Sequence, residues 1–104
     1  ELMEYITNSK SNLSISTKGV ASILCTVSSN TGITKTEIKA NLQIKVNNKW
    51  ATISTWSSTG ARTCTLSKVV NVSKGYEYRV ISTVKAYKGS RSETRTITSN
   101  IEKY

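Results

Sequence analysis

Apolar and polar residues alternate along much of this 104-residue chain. In TEIKANLQIKV every second residue from Ile38 to Val46 is apolar, and the residues between them are charged or polar. Successive side chains of a β-strand point to opposite faces, so this period of two predicts a strand with one buried face. The segment GYEYRVISTVKAY, from Gly75 to Tyr87, alternates in the same way, with Ile81 as the exception. The core positions predicted from these two segments are Leu42, Ile44, Tyr76, Tyr78, Val80 and Val84.

Short turns rich in Gly, Asn and Ser divide the chain into seven predicted strands, and helical periodicity is weak throughout. The strands are predicted at residues 13–17, 20–28, 36–46, 49–56, 64–69, 76–87 and 91–101, with a turn at 57–60 among those that separate them. This pattern predicts an all-β, antiparallel sandwich of two sheets, folded as a single domain over residues 1–104. Residues 1–12 are predicted to be a loosely ordered N-terminal segment.

The last hairpin has two possible registers. A three-residue loop pairs Lys85 with Glu93 and leaves an apolar pair exposed, whereas a two-residue loop at 89–90 turns Ile97 and Ile101 inward and puts Glu93 at the rim of the core. We prefer the two-residue loop because it buries two isoleucines. That register predicts an outer face that carries Arg79, Thr83, Lys85, Thr94, Thr96 and Thr98.

Residues 66–94, LSKVVNVSKGYEYRVISTVKAYKGSRSET, resemble the end of a fibronectin type III module. The resemblance lies in the leucine before the turn, the Gly-Tyr-x-Tyr sequence, the alternating strand and the Gly-x-x-Ser-Glu-Thr ending. It implies a seven-stranded antiparallel immunoglobulin-like (fibronectin III-like) β-sandwich, although the first half lacks the proline and the second-strand tryptophan of that family. In such a fold Tyr76 and Tyr78 begin a central strand, where a buried phenol can bond back to the preceding turn as a tyrosine corner.

The chain is also similar to small secreted proteins of Gram-positive bacteria that form a domain family of unknown function. The shared features are the Leu-Gln strand, the Lys-Trp turn, the second tryptophan, Gly-Tyr-x-Tyr-Arg and the Ser-Glu-Thr ending. This similarity implies an extracellular protein whose signal peptide has already been removed. It implies no activity.

Fifteen Lys and Arg residues against six Glu give the chain a net charge of +9. A field of this sign favours acidic partners, but the basic residues are scattered singly, which is also typical of a solvated surface. No basic cluster alternates with aromatic residues, so the sequence favours other acidic partners over nucleic acid. No apolar run reaches the ~20 residues of a membrane span.

The chain has no His and no Asp, and it has only two cysteines. Common nucleophilic catalysis lacks its usual base, and neither a zinc tetrad nor an acidic calcium loop can be assembled. We therefore predict that the protein is not an enzyme and has no catalytic residue, cofactor or metal site. Cys25 and Cys64 fall on the apolar faces of their strands, where they could form a disulfide or remain two buried thiols.

Trp50 and Trp56 lie an even number of residues apart in KWATISTW, so both project from one face of an unbroken strand. Exposed indoles of this kind stack on sugar rings, and Tyr87, Arg79 and Lys85 could extend the surface. In the alternative, a bulge shifts the register and one or both tryptophans are buried. We favour burial of at least one, because this small domain has no Phe to fill its core.

The leading hypothesis is a secreted or surface binding module for a glycan or an anionic cell-surface polymer. The alternative is a structural or protein-interaction module, or a small secreted effector, that acts through a sheet edge. The sequence predicts no oligomeric state.

Overall fold

The computed structural model describes residues 5–104, which form eight strands and no helix. All strand pairs are antiparallel. In chain order the strands are β1 (Ile6–Ile15), β2 (Val20–Ser29), β3 (Lys35–Val46), β4 (Lys49–Gly60), β5 (Thr63–Asn71), β6 (Glu77–Lys88), β7 (Arg91–Thr98) and β8 (Glu102–Lys103).

The strands form two sheets that pack face to face. The smaller sheet has the order β1-β2-β5, and the larger has the order β4-β3-β6-β7, with β8 also paired to β6. Alternate residues of each strand point into the space between the sheets, as the period of two predicts. The buried apolar side chains include Leu13, Ile23, Val27, Ile38, Leu42, Leu66, Tyr78, Val80 and Val84, while Ile44 is partly buried at their margin.

The eighth strand continues the seventh along the same edge of β6. The Ser99 hydroxyl accepts a hydrogen bond from the Val80 N–H at 2.8 Å, which interrupts the regular ladder. The ladder resumes where Tyr78 is opposite Glu102. The seventh strand predicted from the sequence is therefore divided into β7 and β8.

Two-residue hairpins set the register of the larger sheet. Asn47 and Asn48 both have positive φ, 54° and 63°, as a type I′ turn between β3 and β4 requires. Lys88 is opposite Arg91, so the predicted two-residue loop between β6 and β7 is confirmed, and Ile97 packs against the core. The inward orientation predicted for Ile101 is wrong: its side chain is 55 % exposed because the chain has left the ladder there.

Two strand boundaries differ from the prediction. Residues 6–12, predicted to be loosely ordered, belong to β1, and residues 1–4 lie outside the described part of the chain. The predicted turn at 57–60 is part of β4, and the chain reverses at 61–62 instead. A β-carbon at Gly60 would collide with the Thr63 carbonyl oxygen, so this tight reversal requires glycine.

The two tyrosines at the start of β6 have different environments. Tyr78 is buried, and its hydroxyl donates a 2.6 Å hydrogen bond to the Ser73 carbonyl, the geometry of a tyrosine corner. Burial raises the pKa of Tyr78 above its usual value. Tyr76 was predicted to belong to the core, but its side chain is 39 % exposed because it precedes the first residue of β6.

Cys25 and Cys64 are both buried and both free. The β2–β5 register places Cys25 opposite Leu66 and Cys64 opposite Val27, so the cysteines are diagonal neighbours. Diagonal Cα atoms are about 7–8 Å apart, beyond the ~6.8 Å limit for a disulfide. Of the two possibilities left open by the sequence, the protein has two buried thiols and no disulfide. The Cys25 thiol instead lies 2.9 Å from the Ser82 hydroxyl, across the interface between the sheets.

Candidate functional site

The outer faces of the two sheets differ in charge. Strand alternation and register give the larger sheet's outer face six basic and two acidic residues, a net charge of +4. These are Lys35, Lys39, Lys45, Arg79, Lys85, Lys103, Glu37 and Glu77. Across the strands of the smaller sheet, the outward positions carry Ser, Thr, Asn and three apolar residues, Val20, Leu24 and Val69, and Lys10 is the one ionisable residue among them.

A bulge in β4 separates the two tryptophans. Leu42 is opposite Ser54 and Gln43 is opposite Thr52, which leaves Ile53 unpaired. The extra residue reverses which side chains point outward on the two sides of the bulge. The shared face expected for an unbroken strand is therefore not formed.

Each tryptophan takes the orientation of its partner on β3. Trp50 is opposite Lys45 and lies on the outer face. Trp56 is opposite Ala40, a buried residue, and packs against the core as a half-buried side chain. The protein adopts the shifted register, and Trp56 is the tryptophan that packs against the core.

The Trp50 ring is covered by cations. The Arg79 guanidinium carbon lies 4.2 Å from the ring centroid, and the Lys45 ammonium lies 5.9 Å from it. Arg79 Nε also donates a 2.8 Å hydrogen bond to Gln43 Oε1, and Gln43 Nε2 donates to the Thr52 hydroxyl. A sugar ring would compete with the guanidinium for this indole face.

Tyr87 lies at the other end of the same face, beside a carboxylate. Its hydroxyl donates a 2.6 Å hydrogen bond to Glu37 Oε1, while the Lys35 ammonium lies 3.4 Å from Glu37 Oε2. The Tyr87 hydrogen bond is the main reason that the pKa of Glu37 is lowered, and the same carboxylate raises the pKa of Tyr87. Glu37 therefore remains ionised, with both oxygens engaged.

A groove of about 430 Å³ lies on this outer face, lined by residues of β3, β4 and β6. Lys39 and Lys85 contribute ammonium groups, and neither forms an ion pair within residues 5–104. The Ser57, Thr59 and Thr83 hydroxyls can also donate hydrogen bonds to an anionic group. Glu37 lines the groove as well, with its carboxylate held by Tyr87 and Lys35.

Four of the five predicted ligand residues share this face: Trp50, Arg79, Lys85 and Tyr87. Trp56 does not, and Trp50 and Tyr87 lie at opposite ends. Lys39 and the β4 hydroxyls were not singled out from the sequence. Alternation in TEIKANLQIKV assigns Lys39 to the outer side, but only the strand order places it between β4 and β6.

The chain matches no protein-family model, no curated protein and no solved structure. Within residues 5–104, no group of three or more carboxylate and thiol side chains is placed so that it could hold a metal ion. No helix in that range could span a membrane.

Proposed function

We propose that this chain is a secreted, non-enzymatic module that binds an acidic glycan of a cell surface through the outer face of its larger sheet. The observation that carries the proposal is the charge asymmetry, +4 on this face against a single lysine on the opposite one. Solvation alone gives no reason for basic residues to collect on one sheet. A one-sided field of this kind attracts and orients a polyanion.

Among possible ligands, the lining of the face favours anionic sugars over neutral sugars and nucleic acid. A neutral sugar needs an open aromatic platform, and the Trp50 ring already has Arg79 over it. The bases of a nucleic acid would also need an open aromatic ring on which to stack. The groove offers two ammonium groups that form no ion pair within residues 5–104 and a row of hydroxyls, which suit carboxylate or sulfate groups on a hydroxylated chain. Its one carboxylate, Glu37, is already engaged by Tyr87 and Lys35.

The fold assignment in this proposal is a fibronectin type III-like sandwich. Two features support it: the corner hydrogen bond of Tyr78, and a fourth strand that pairs with the third instead of the fifth. The extracellular location rests on the sequence resemblance alone, since the two free thiols give no argument for an oxidising compartment.

Binding to polygalacturonate, dextran sulfate, neutral dextran and duplex DNA over a salt series tests the proposal. The double variant Lys39→Gln/Lys85→Gln is compared with Lys10→Gln/Lys18→Gln, which loses the same charge away from the face. We expect binding to an acidic glycan. The slope of log affinity against log salt concentration should decrease in magnitude by about one for each groove lysine removed. Equal losses in the two variants would place binding outside this face, and preference for DNA would replace the glycan.

An edge strand favours a second candidate function, a protein-interaction module. β4 forms one edge of the larger sheet, and from Trp50 to Gly60 it has no charged residue and no proline. Natural edge strands usually carry such residues to block strand addition, and here the bulge at Ile53 is the irregularity present. Salt-insensitive self-association in sedimentation, without binding to any polyanion, would favour this function.

A further inference from the structure

The basic residues of the outer face form two separate groups. The Lys39 cluster consists of Lys35, Lys39 and Lys85, and the Arg79 cluster consists of Lys45, Arg79 and Lys103. Each cluster contains one glutamate, Glu37 or Glu77, so each has a net charge of +2. We propose that one linear acidic glycan lies along β3 and β6 and bridges both clusters, so that the site selects its ligand by length. This inference rests on the proposed function.

The strand register defines the distance between the clusters. Lys39 and Lys45 are six residues apart on β3, and Arg79 and Lys85 are six residues apart on β6. At a rise of about 3.3 Å per residue, each strand separates its two cations by ~20 Å. Because β3 and β6 are neighbours, the clusters lie at the two ends of one strip, two strands wide.

The middle of the strip is uncharged. Asn41 of β3 is opposite Thr55 of β4 and Ile81 of β6, and Ile81 is opposite Thr98 of β7. The separation along the strands is ~20 Å between cations of one strand and ~13 Å between Lys39 and Arg79, because Thr83, which is opposite Lys39, is four residues from Arg79. Both separations exceed the Debye length of about 8 Å at physiological ionic strength, so each cluster attracts anions independently. A ligand must touch both clusters to gain from both.

Each cluster has a recess for an anionic group. The groove of about 430 Å³ lies at the Lys39 cluster. A second recess, of about 350 Å³, lies at the Arg79 cluster. Lys45 and Lys103 line it together with the Asn47 and Asn48 amides, Tyr76 and Glu77, the glutamate that pairs with Lys45. Amide and ammonium groups both donate hydrogen bonds to carboxylates. Two recesses at the ends of one uncharged strip suit a chain with acidic groups along its length.

Bridging makes the affinity depend on length in a stepwise manner. A fragment that reaches one cluster binds with the modest affinity of a +2 site. Once a fragment spans both clusters, its second contact is intramolecular and adds an effective concentration, and the affinity rises by about 10²-fold. Further lengthening adds little.

Oligogalacturonates of increasing length test this inference by calorimetry. The wild type is compared with Lys39→Gln/Lys85→Gln, with Lys45→Gln/Lys103→Gln and with the control Lys10→Gln/Lys18→Gln. We expect a step in affinity with length in the wild type and the control. Either cluster variant should lose the step while still binding short fragments through the intact cluster.

The outcomes separate this inference from the proposed function. Affinity that rises smoothly with the number of carboxylates, with equal losses in the two cluster variants and a smaller loss in the control, would overturn bridging and leave glycan binding at this face in place. A step that survives in either cluster variant would overturn bridging as well. No binding of galacturonate or dextran sulfate at any length would overturn the proposed function itself.

Discussion

At the scale of single residues, two tyrosine hydroxyls have contrasting roles. The Tyr78 ring is buried, and its hydroxyl donates a hydrogen bond to a backbone carbonyl at the end of the core. This bond connects β6 to the turn that precedes β6. Tyr87 donates to the Glu37 carboxylate on the outer face. The first bond supports the fold, and the second keeps an acidic residue ionised within a basic surface.

Replacing Tyr78 with phenylalanine tests the first role. The Ser73 carbonyl loses its partner, so we expect the free energy of unfolding to fall by about 1–3 kcal/mol. Urea denaturation measures the change, and Tyr76→Phe is the matched control because Tyr76 is outside the core. Equal stability of the two variants would show that the corner bond contributes nothing.

The pKa of Glu37 tests the second role. Its lowered pKa in the folded protein contributes stability that is present above the ordinary carboxyl pKa and is lost as the pH falls through the folded-state pKa. Because Tyr87 is the main cause, Tyr87→Phe should move the Glu37 titration, followed by NMR, towards the ordinary range. Tyr76→Phe should leave it unchanged. A Glu37 titration insensitive to Tyr87→Phe would contradict the assigned cause.

The state of the cysteines is a third property of single residues. Both thiols are buried and too far apart in register to pair, so intact mass should be the same with and without reductant. A thiol reagent should modify neither cysteine in the native protein and both after denaturation. A mass two hydrogens lower without reductant would mean that β2 and β5 pair in another register.

At the scale of elements, side chains take the place of a neighbouring strand along the free edge of β1. The Asn100 amide accepts a hydrogen bond from the Leu13 N–H at 3.2 Å and donates to the Leu13 carbonyl at 2.9 Å. Glu93 Oε1 accepts from the N–H groups of Tyr5 and Ile6. These contacts join the two sheets at that edge and occupy groups that could otherwise pair with another chain.

Asn100→Ala removes both bonds to Leu13 at once. We expect it to destabilise the protein by about 1–3 kcal/mol and to speed hydrogen exchange at the Leu13 amide. Asn12→Ala changes an exposed residue of the same strand and serves as control. If the Leu13 amide exchanges at the same rate in both variants, Asn100 does not hold this edge.

At the scale of the whole molecule, the two-sheet arrangement separates the apolar core from the charged outer face. Apolar residues meet between the sheets, while most outward cations of the strands collect on one sheet. A net charge of +9 on 104 residues makes the folded state repel itself, and a bound polyanion relieves that repulsion. Ligand binding and stability are therefore linked.

Thermal unfolding should show this linkage. A polyanion at a hundred times its Kd stabilises the folded state by about 2.7 kcal/mol, which raises Tm by roughly 10 °C or more for a domain of this size. Neutral dextran should leave Tm unchanged. The polyanion should raise the Tm of Lys39→Gln/Lys85→Gln less than the Tm of Lys10→Gln/Lys18→Gln. A polyanion that left Tm unchanged at saturation would contradict binding to the folded state.

The candidate site could be predicted only in part from the sequence. Alternation assigned Lys39, Arg79 and Lys85 to outward positions correctly, because the period of two is a local property of the strand. The tryptophan platform failed because one extra residue, Ile53, reverses the faces, and a bulge depends on how β4 pairs with β3. The orientation of Ile101 failed for the same kind of reason, an interruption of pairing at Ser99.

The sequence by itself determined the alternation of most strands, the buried faces of β3 and β6, the two-residue turns and the excess of basic charge, because each depends on neighbouring residues or on composition. The tertiary structure alone decided which strands are neighbours, and with them the diagonal placement of Cys25 and Cys64, the opposite faces of Trp50 and Trp56, and the collection of cations on one sheet. These properties depend on register between segments far apart in the chain. A shift of one residue reverses every side chain of a strand.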